Sequence, residues 1–147
     1  MHESRPTRSE RANQSAPTAI SSPFGFSGRI RSFKYAFRGI FHLLRTQHNA
    51  WIHALATVGV LFAGLYFDLT ADEWCWIMLA MTSVWTAEAL NTAFELLADA
   101  TTQEYHPLIG RAKDVAAGAV LLAAIGAAVI GLIILGPRIC AFLFVER

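Results

Sequence analysis

The sequence has little cysteine, and what it has completes no motif. Cys75 and Cys140 have neither metal-ligand spacing nor the count of a disulfide framework, so both read as packed or lipid-facing thiols. An excess of one charge is also lacking. Twelve Lys and Arg stand against 11 Asp and Glu, and the net charge of +1 gives no bulk support to a nucleic-acid-binding protein. There is no G-x-x-x-x-G-K-S/T loop and no glycine-rich loop of the protein-kinase kind, which excludes both of those phosphate cradles. The N-terminal stretch lacks a continuous apolar core. Arg5, Arg8 and Arg11 lie there among Ser, Thr, Pro and Asn, so it is not a signal peptide, and residues 1–27 are expected to be a disordered basic tail. The most informative absence is local. From Val115 to Gly136 there is no charged residue, and those 22 positions match the ~20 needed to cross a bilayer.

What is present is apolar and periodic. Hydrophobic residues make up 54% of the chain and charged residues only 16%, which points to an all-α membrane protein rather than a soluble domain. In residues 28–48, Ile30, Phe33, Phe37, Ile40, Phe41 and Leu44 share about a third of a helix circumference at ~100° per residue. Arg31, Lys34, Arg38, His42 and Arg45 occupy the adjacent arc. Such a helix is expected to lie on a membrane surface, with its cations towards lipid phosphates. Three spans are expected next, at about 50–67, 74–98 and 113–136. The first turn lies at 68–73, with Asp72 placed to cap the following helix. A polar loop is expected over 99–112, and Pro137 should help end the last span. Cations cluster before the first span and in the 99–112 loop, whereas the 68–73 turn has none. The positive-inside tendency then predicts a multi-pass protein with its N-terminus and that loop in the cytoplasm.

Ionisable side chains within a spanning helix are costly, about 2.5–3.5 kcal/mol for an Asp at the helix centre. Glu88, Asn91, Glu95 and Asp99 nevertheless recur at intervals of 3, 4 and 4, which places all four within roughly 80° of arc. A polar stripe of this kind can bind helices together or conduct ions. Its position favours a third reading, because Lys113 and Asp114 follow Gly110 and Arg111 on the same cytoplasmic side. Carboxylates for Mg²⁺, cations for phosphates and a buried carboxylate as base are the parts that phosphoryl transfer requires.

At these residues the chain resembles the prokaryotic diacylglycerol kinase and undecaprenol kinase family of small membrane lipid kinases. The resemblance rests on Glu88-x-x-Asn91-Thr92-Ala93-x-Glu95 and on His106-x-x-x-Gly110-Arg111-x-Lys113-Asp114. The stretch from Ser32 to Gly39 and the Asn49-x-x-Ile52-His53 segment are similar to the undecaprenol kinase branch. The likeness covers about residues 28–136.

The resemblance implies a three-span protomer with an N-terminal surface helix, assembled as a homotrimer in the bacterial inner membrane. The domain would run over 28–147 and phosphorylate a membrane lipid alcohol, diacylglycerol or undecaprenol, with ATP and Mg²⁺. By position, Glu88 is the implied general base and Asn91 orients it or the lipid hydroxyl. Glu95 is the implied Mg²⁺-ATP carboxylate. Glu104, Tyr105, His106, Lys113 and Asp114 are the implied nucleotide segment. His53 reads equally as an interfacial helix residue or as a lipid-headgroup contact. The chain departs from the pattern at Gln47, where many relatives carry a Glu. Gln47 can offer a metal or nucleotide an amide oxygen but no charge. The alternative is a degenerate relative that serves as a membrane scaffold.

Overall fold

The structure is a computed structural model that describes residues 26–102 and 104–145. The tail expected over 1–27 lies outside the described residues except for its last two positions, which open the first helix. Among the described residues every element is helical: α1 (Phe26–Thr46), α2 (His48–Tyr66), α3 (Ala71–Thr101) and α4 (Pro107–Val145). The chain divides into two compact units, Met1–Arg38 and Gly39–Arg147. In the first, Ile30, Phe33 and Phe37 are exposed along one apolar face of α1, as the helical period predicts.

In the second unit α3 packs chiefly against α4, and α2 touches both less extensively. The core is thin. Leu69, Ile77, Ile134 and Leu135 form its one sizeable cluster, with Val60, Trp74 and Met81 against it. Outside it many long apolar side chains point away from the protein: Leu55 is 75% exposed, Phe62 70% and Leu122 72%. In water such a surface would aggregate, whereas in lipid it is the expected exterior. Two helices, His48–Tyr66 and Pro107–Phe144, are long and apolar enough to cross a membrane. At 31 residues α3 is also long enough, at ~1.5 Å per residue. Its acids, Asp72, Glu73, Glu88, Glu95 and Asp99, set its composition apart from that of α2 and α4.

Several boundaries differ from the expectation, and α3 already begins at Ala71, inside the turn expected over 68–73. The cap of α3 is Thr70, not Asp72. The Thr70 hydroxyl accepts from the Glu73 backbone N–H while the Glu73 carboxylate accepts from the Thr70 N–H. This capping box satisfies two donors at once, which a lone Asp72 could not do. The loop expected over 99–112 shrinks to 102–106, because α3 continues to Thr101 and α4 begins at Pro107. Proline suits a first helical position, where its missing N–H removes no ladder bond.

Pro137 does not end α4, which runs on to Val145. An internal proline removes one ladder bond, but the continuation is held from the side. Arg138 Nη1 donates to the Ile134 carbonyl at 2.8 Å, and Phe142 meets Tyr66 and Phe67 edge-on at 5.8 and 6.3 Å. The α2–α3 turn is built as tightly. Asp68 adopts φ 51°, while Asp68 and Leu69 donate backbone N–H groups to the Leu65 and Gly64 carbonyls. This pairing is the Schellman arrangement that reverses a chain after a helix.

Candidate functional site

The break between α1 and α2 is a single residue, Gln47, in extended conformation (φ −101°, ψ 117°). Its backbone N–H still donates to the Leu43 carbonyl at 3.1 Å. Its side chain does not cap α2. Instead Gln47 Nε2 donates to Glu95 Oε2 on α3 at 3.0 Å. One turn earlier on α3, Asn91 Nδ2 donates to Glu95 Oε1 at 3.1 Å. Two neutral amides thus hold the two oxygens of one carboxylate. Ala50, with no exposed surface, keeps the first turn of α2 closely packed.

Deeper along α3 the stripe becomes buried. Glu88 is 1% exposed and Asn91 7%. Glu88 Oε2, Asn91 Oδ1 and Thr92 Oγ1 are all buried without a hydrogen-bond partner. Buried polar atoms are almost always paired, so three orphans on one helix face mark a place that stability did not design. A cavity of about 300 Å³ opens beside them. Asn49, His53, Glu88, Asn91 and Glu95 line its polar side, and Ala117, Val120 and Ala124 of α4 its apolar wall. A larger apolar groove of about 610 Å³ shares Ile52, His53 and Ala124 with it and continues past Val84 and Ile77 to Ile139.

The residues singled out in the sequence therefore fall into two groups. Gln47, His53, Glu88, Asn91 and Glu95 come together around the cavity and its edge. The others do not line it. Lys113, expected to open its helix, sits in the second turn of α4 and pairs with Asp99 at 2.6 Å. Asp114 is exposed. Glu104 and Tyr105 are exposed in the 102–106 loop, Tyr105 by 88%. His106 Nδ1 accepts from the Leu108 backbone N–H at 3.3 Å at the start of α4. Two residues were not singled out: Asn49, which lines the cavity, and Thr92, whose hydroxyl is one of the orphans. Both lie within the quoted motifs, which is the signal that could have flagged them.

Residues 34–135 match the prokaryotic diacylglycerol kinase family over more than half of the chain. The chain belongs to that family. It is similar to an undecaprenol kinase of Bacillus subtilis (strain 168), 41% identical over 110 residues, which cover 75% of this chain and 89% of the relative. A diacylglycerol kinase of Synechocystis sp. is 41% identical over 113 residues, 76% of this chain and 65% of that relative. A diacylglycerol kinase of Escherichia coli (strain K12) is 33% identical over 118 residues, 76% of this chain and 91% of that relative. This family member is a lipid kinase, and the exterior of its helices is that of a helical membrane protein.

Proposed function

We propose that this lipid kinase transfers the γ-phosphate of ATP to the hydroxyl of a membrane lipid alcohol, diacylglycerol or undecaprenol, at the cytoplasmic face of a bacterial inner membrane. The observation that carries the reading is Glu88: a carboxyl 1% exposed, one oxygen unpartnered, at a cavity that joins an apolar groove. A lipid alcohol needs both features, a groove for its chain and a base for its hydroxyl. Three spans, with α3 as the second and the domain over 28–147, assembled as a homotrimer, complete the proposal. The long exposed apolar faces of α2 and α4 support it.

In the reaction the lipid oxygen attacks the γ-phosphorus, the bond from that phosphorus to the β,γ-bridging oxygen breaks, and ADP leaves. Glu88 takes the hydroxyl proton, and Asn91 orients the hydroxyl or Glu88. His53 lines the cavity where the headgroup would lie. Glu104, Tyr105, His106, Lys113 and Asp114 would receive the nucleotide from the loop side, where all but the half-buried Lys113 are exposed.

The donor set also fits magnesium. Mg²⁺ is commonly held by one or two carboxylates together with substrate phosphates, and Glu95, flanked by the amides of Gln47 and Asn91, is such a carboxylate. When bound, the ion would neutralise phosphate charge.

One assay tests the reading. Purified protein in mixed micelles receives radiolabelled ATP and Mg²⁺ with diacylglycerol, undecaprenol or neither. Labelled lipid identifies reaction and acceptor together, and Glu88→Ala and Glu95→Ala should each abolish it. ATP consumption without labelled lipid, or full turnover in both variants, would sink the proposal.

A further inference from the structure

Glu95 is already satisfied before any ion arrives. Each of its oxygens accepts a hydrogen bond, from Gln47 at 3.0 Å and from Asn91 at 3.1 Å, and both donors are neutral. The partners of Glu95 are these two amides rather than a second acid. Glu88 lies seven residues earlier on α3, about 10 Å along the axis at ~1.5 Å per residue, and is not among the groups bonded to Glu95. Among the described residues no three His, Cys, Asp or Glu side chains group to hold a metal. The amides also present their NH₂ ends to the carboxylate. Their carbonyl oxygens, Asn91 Oδ1 among them without a partner, can offer an ion neutral donors but no charge.

We propose that Gln47 makes Glu95 a carboxylate that captures a divalent ion only together with nucleotide phosphates, so that the free protein retains no ion of its own. Gln47 acts as a positioning residue: it ties Glu95 to the α1–α2 break with a hydrogen bond and leaves the phosphates to supply the remaining charge. A glutamate in its place would put two carboxylates side by side, and such a pair recruits a free cation to offset its repulsion. The inference deepens the proposed function and rests on its Mg²⁺-ATP reading.

Mn²⁺ uptake, counted by the electron paramagnetic resonance of the free ion, tests it without turnover. The full chain in detergent micelles is titrated with Mn²⁺ alone and with Mn²⁺ plus a non-hydrolysable ATP analogue. The wild type should bind Mn²⁺ at least tenfold more tightly with the analogue than without it. Gln47→Glu should bind Mn²⁺ alone at least tenfold more tightly than the wild type, and adding Glu95→Gln should remove that gain. Should Gln47→Glu fail to fold, Glu95→Gln alone decides: it should leave uptake of free Mn²⁺ unchanged while weakening uptake with the analogue. Tight wild-type uptake of Mn²⁺ without nucleotide overturns the inference alone. So does a folded Gln47→Glu that takes up no more free ion than the wild type. No binding of the analogue under any condition overturns the ATP reading itself, and the inference with it.

Discussion

Arg138 grips Glu73 at two points across 65 residues of sequence, Nη1 to Oε1 and Nη2 to Oε2, both at 2.9 Å. A parallel fork of this kind is the strong form of an arginine–carboxylate pair. It exists because α4 continues past Pro137 and because the capping box at Thr70 fixes the Glu73 carboxylate at the start of α3.

The pair gives stability a pH dependence. The Thr70 backbone N–H first, and then the Arg138 guanidinium, hold the Glu73 carboxyl below its ordinary value. A depressed carboxyl contributes stability that is fully present above its ordinary value and lost as pH falls through the lower folded value. The melting temperature of the wild type in detergent should therefore exceed that of Glu73→Gln at pH 7, and the gap should close in acid, below about pH 4. An equal gap at pH 7 and pH 3 would show that the charge plays no part.

Gly64 is a second tight point. A Cβ there would lie 2.7 Å from Trp74 Cη2 and 3.1 Å from Leu69 Cδ1. Gly64→Ala should destabilise the protein by about 1–3 kcal/mol, the range for overpacking. Trp74→Leu should recover part of the loss in the double variant. Additive losses in a double-variant cycle would mean that the two side chains do not meet.

Glu88 should cost stability and supply rate. Burying a carboxyl oxygen without a partner is unfavourable, so Glu88→Gln should melt no lower than the wild type. Its turnover should fall about 10²–10⁴-fold, the usual contribution of a general base. A variant that melts lower and keeps its rate would make Glu88 a structural residue.

Lys113 and Asp99 form a pair that is easily broken, with side chains 38% and 69% exposed. Pairs of this kind contribute about 0–1 kcal/mol. Asp99→Asn should therefore barely move the melting temperature while lowering the KM for ATP, because it frees the lysine for phosphate. Lys113→Ala should raise that KM at least tenfold. Identical KM values in all three proteins would remove Lys113 from the nucleotide site.

Much of the site was legible because helical periodicity is a local property. Spacings of 3 and 4 place Glu88, Asn91 and Glu95 on one face wherever α3 sits, and the structure brings these three together. The same arithmetic placed Asp99 in the stripe, yet Asp99 turns to Lys113 on α4. Helical spacing says which residues share a face. It does not say which neighbouring helix supplies their partners. The boundaries were less legible. Thr70 outcompeted Asp72 as a cap because Glu73 stood three residues later to complete the box. Pro137 failed to end α4 because Arg138 and Phe142 hold the continuation from the side.

The sequence alone determined the helical class, the two strongly apolar helices and the acidic face of α3, since all three follow from residue order and the fixed rise and turn of a helix. Only the tertiary structure decided that Gln47 reaches Glu95 across 48 residues and that Glu88 closes one side of a cavity. Those relations depend on how closely α2, α3 and α4 approach, a relation between helices rather than along one, and small residues such as the fully buried Ala50 permit a close approach.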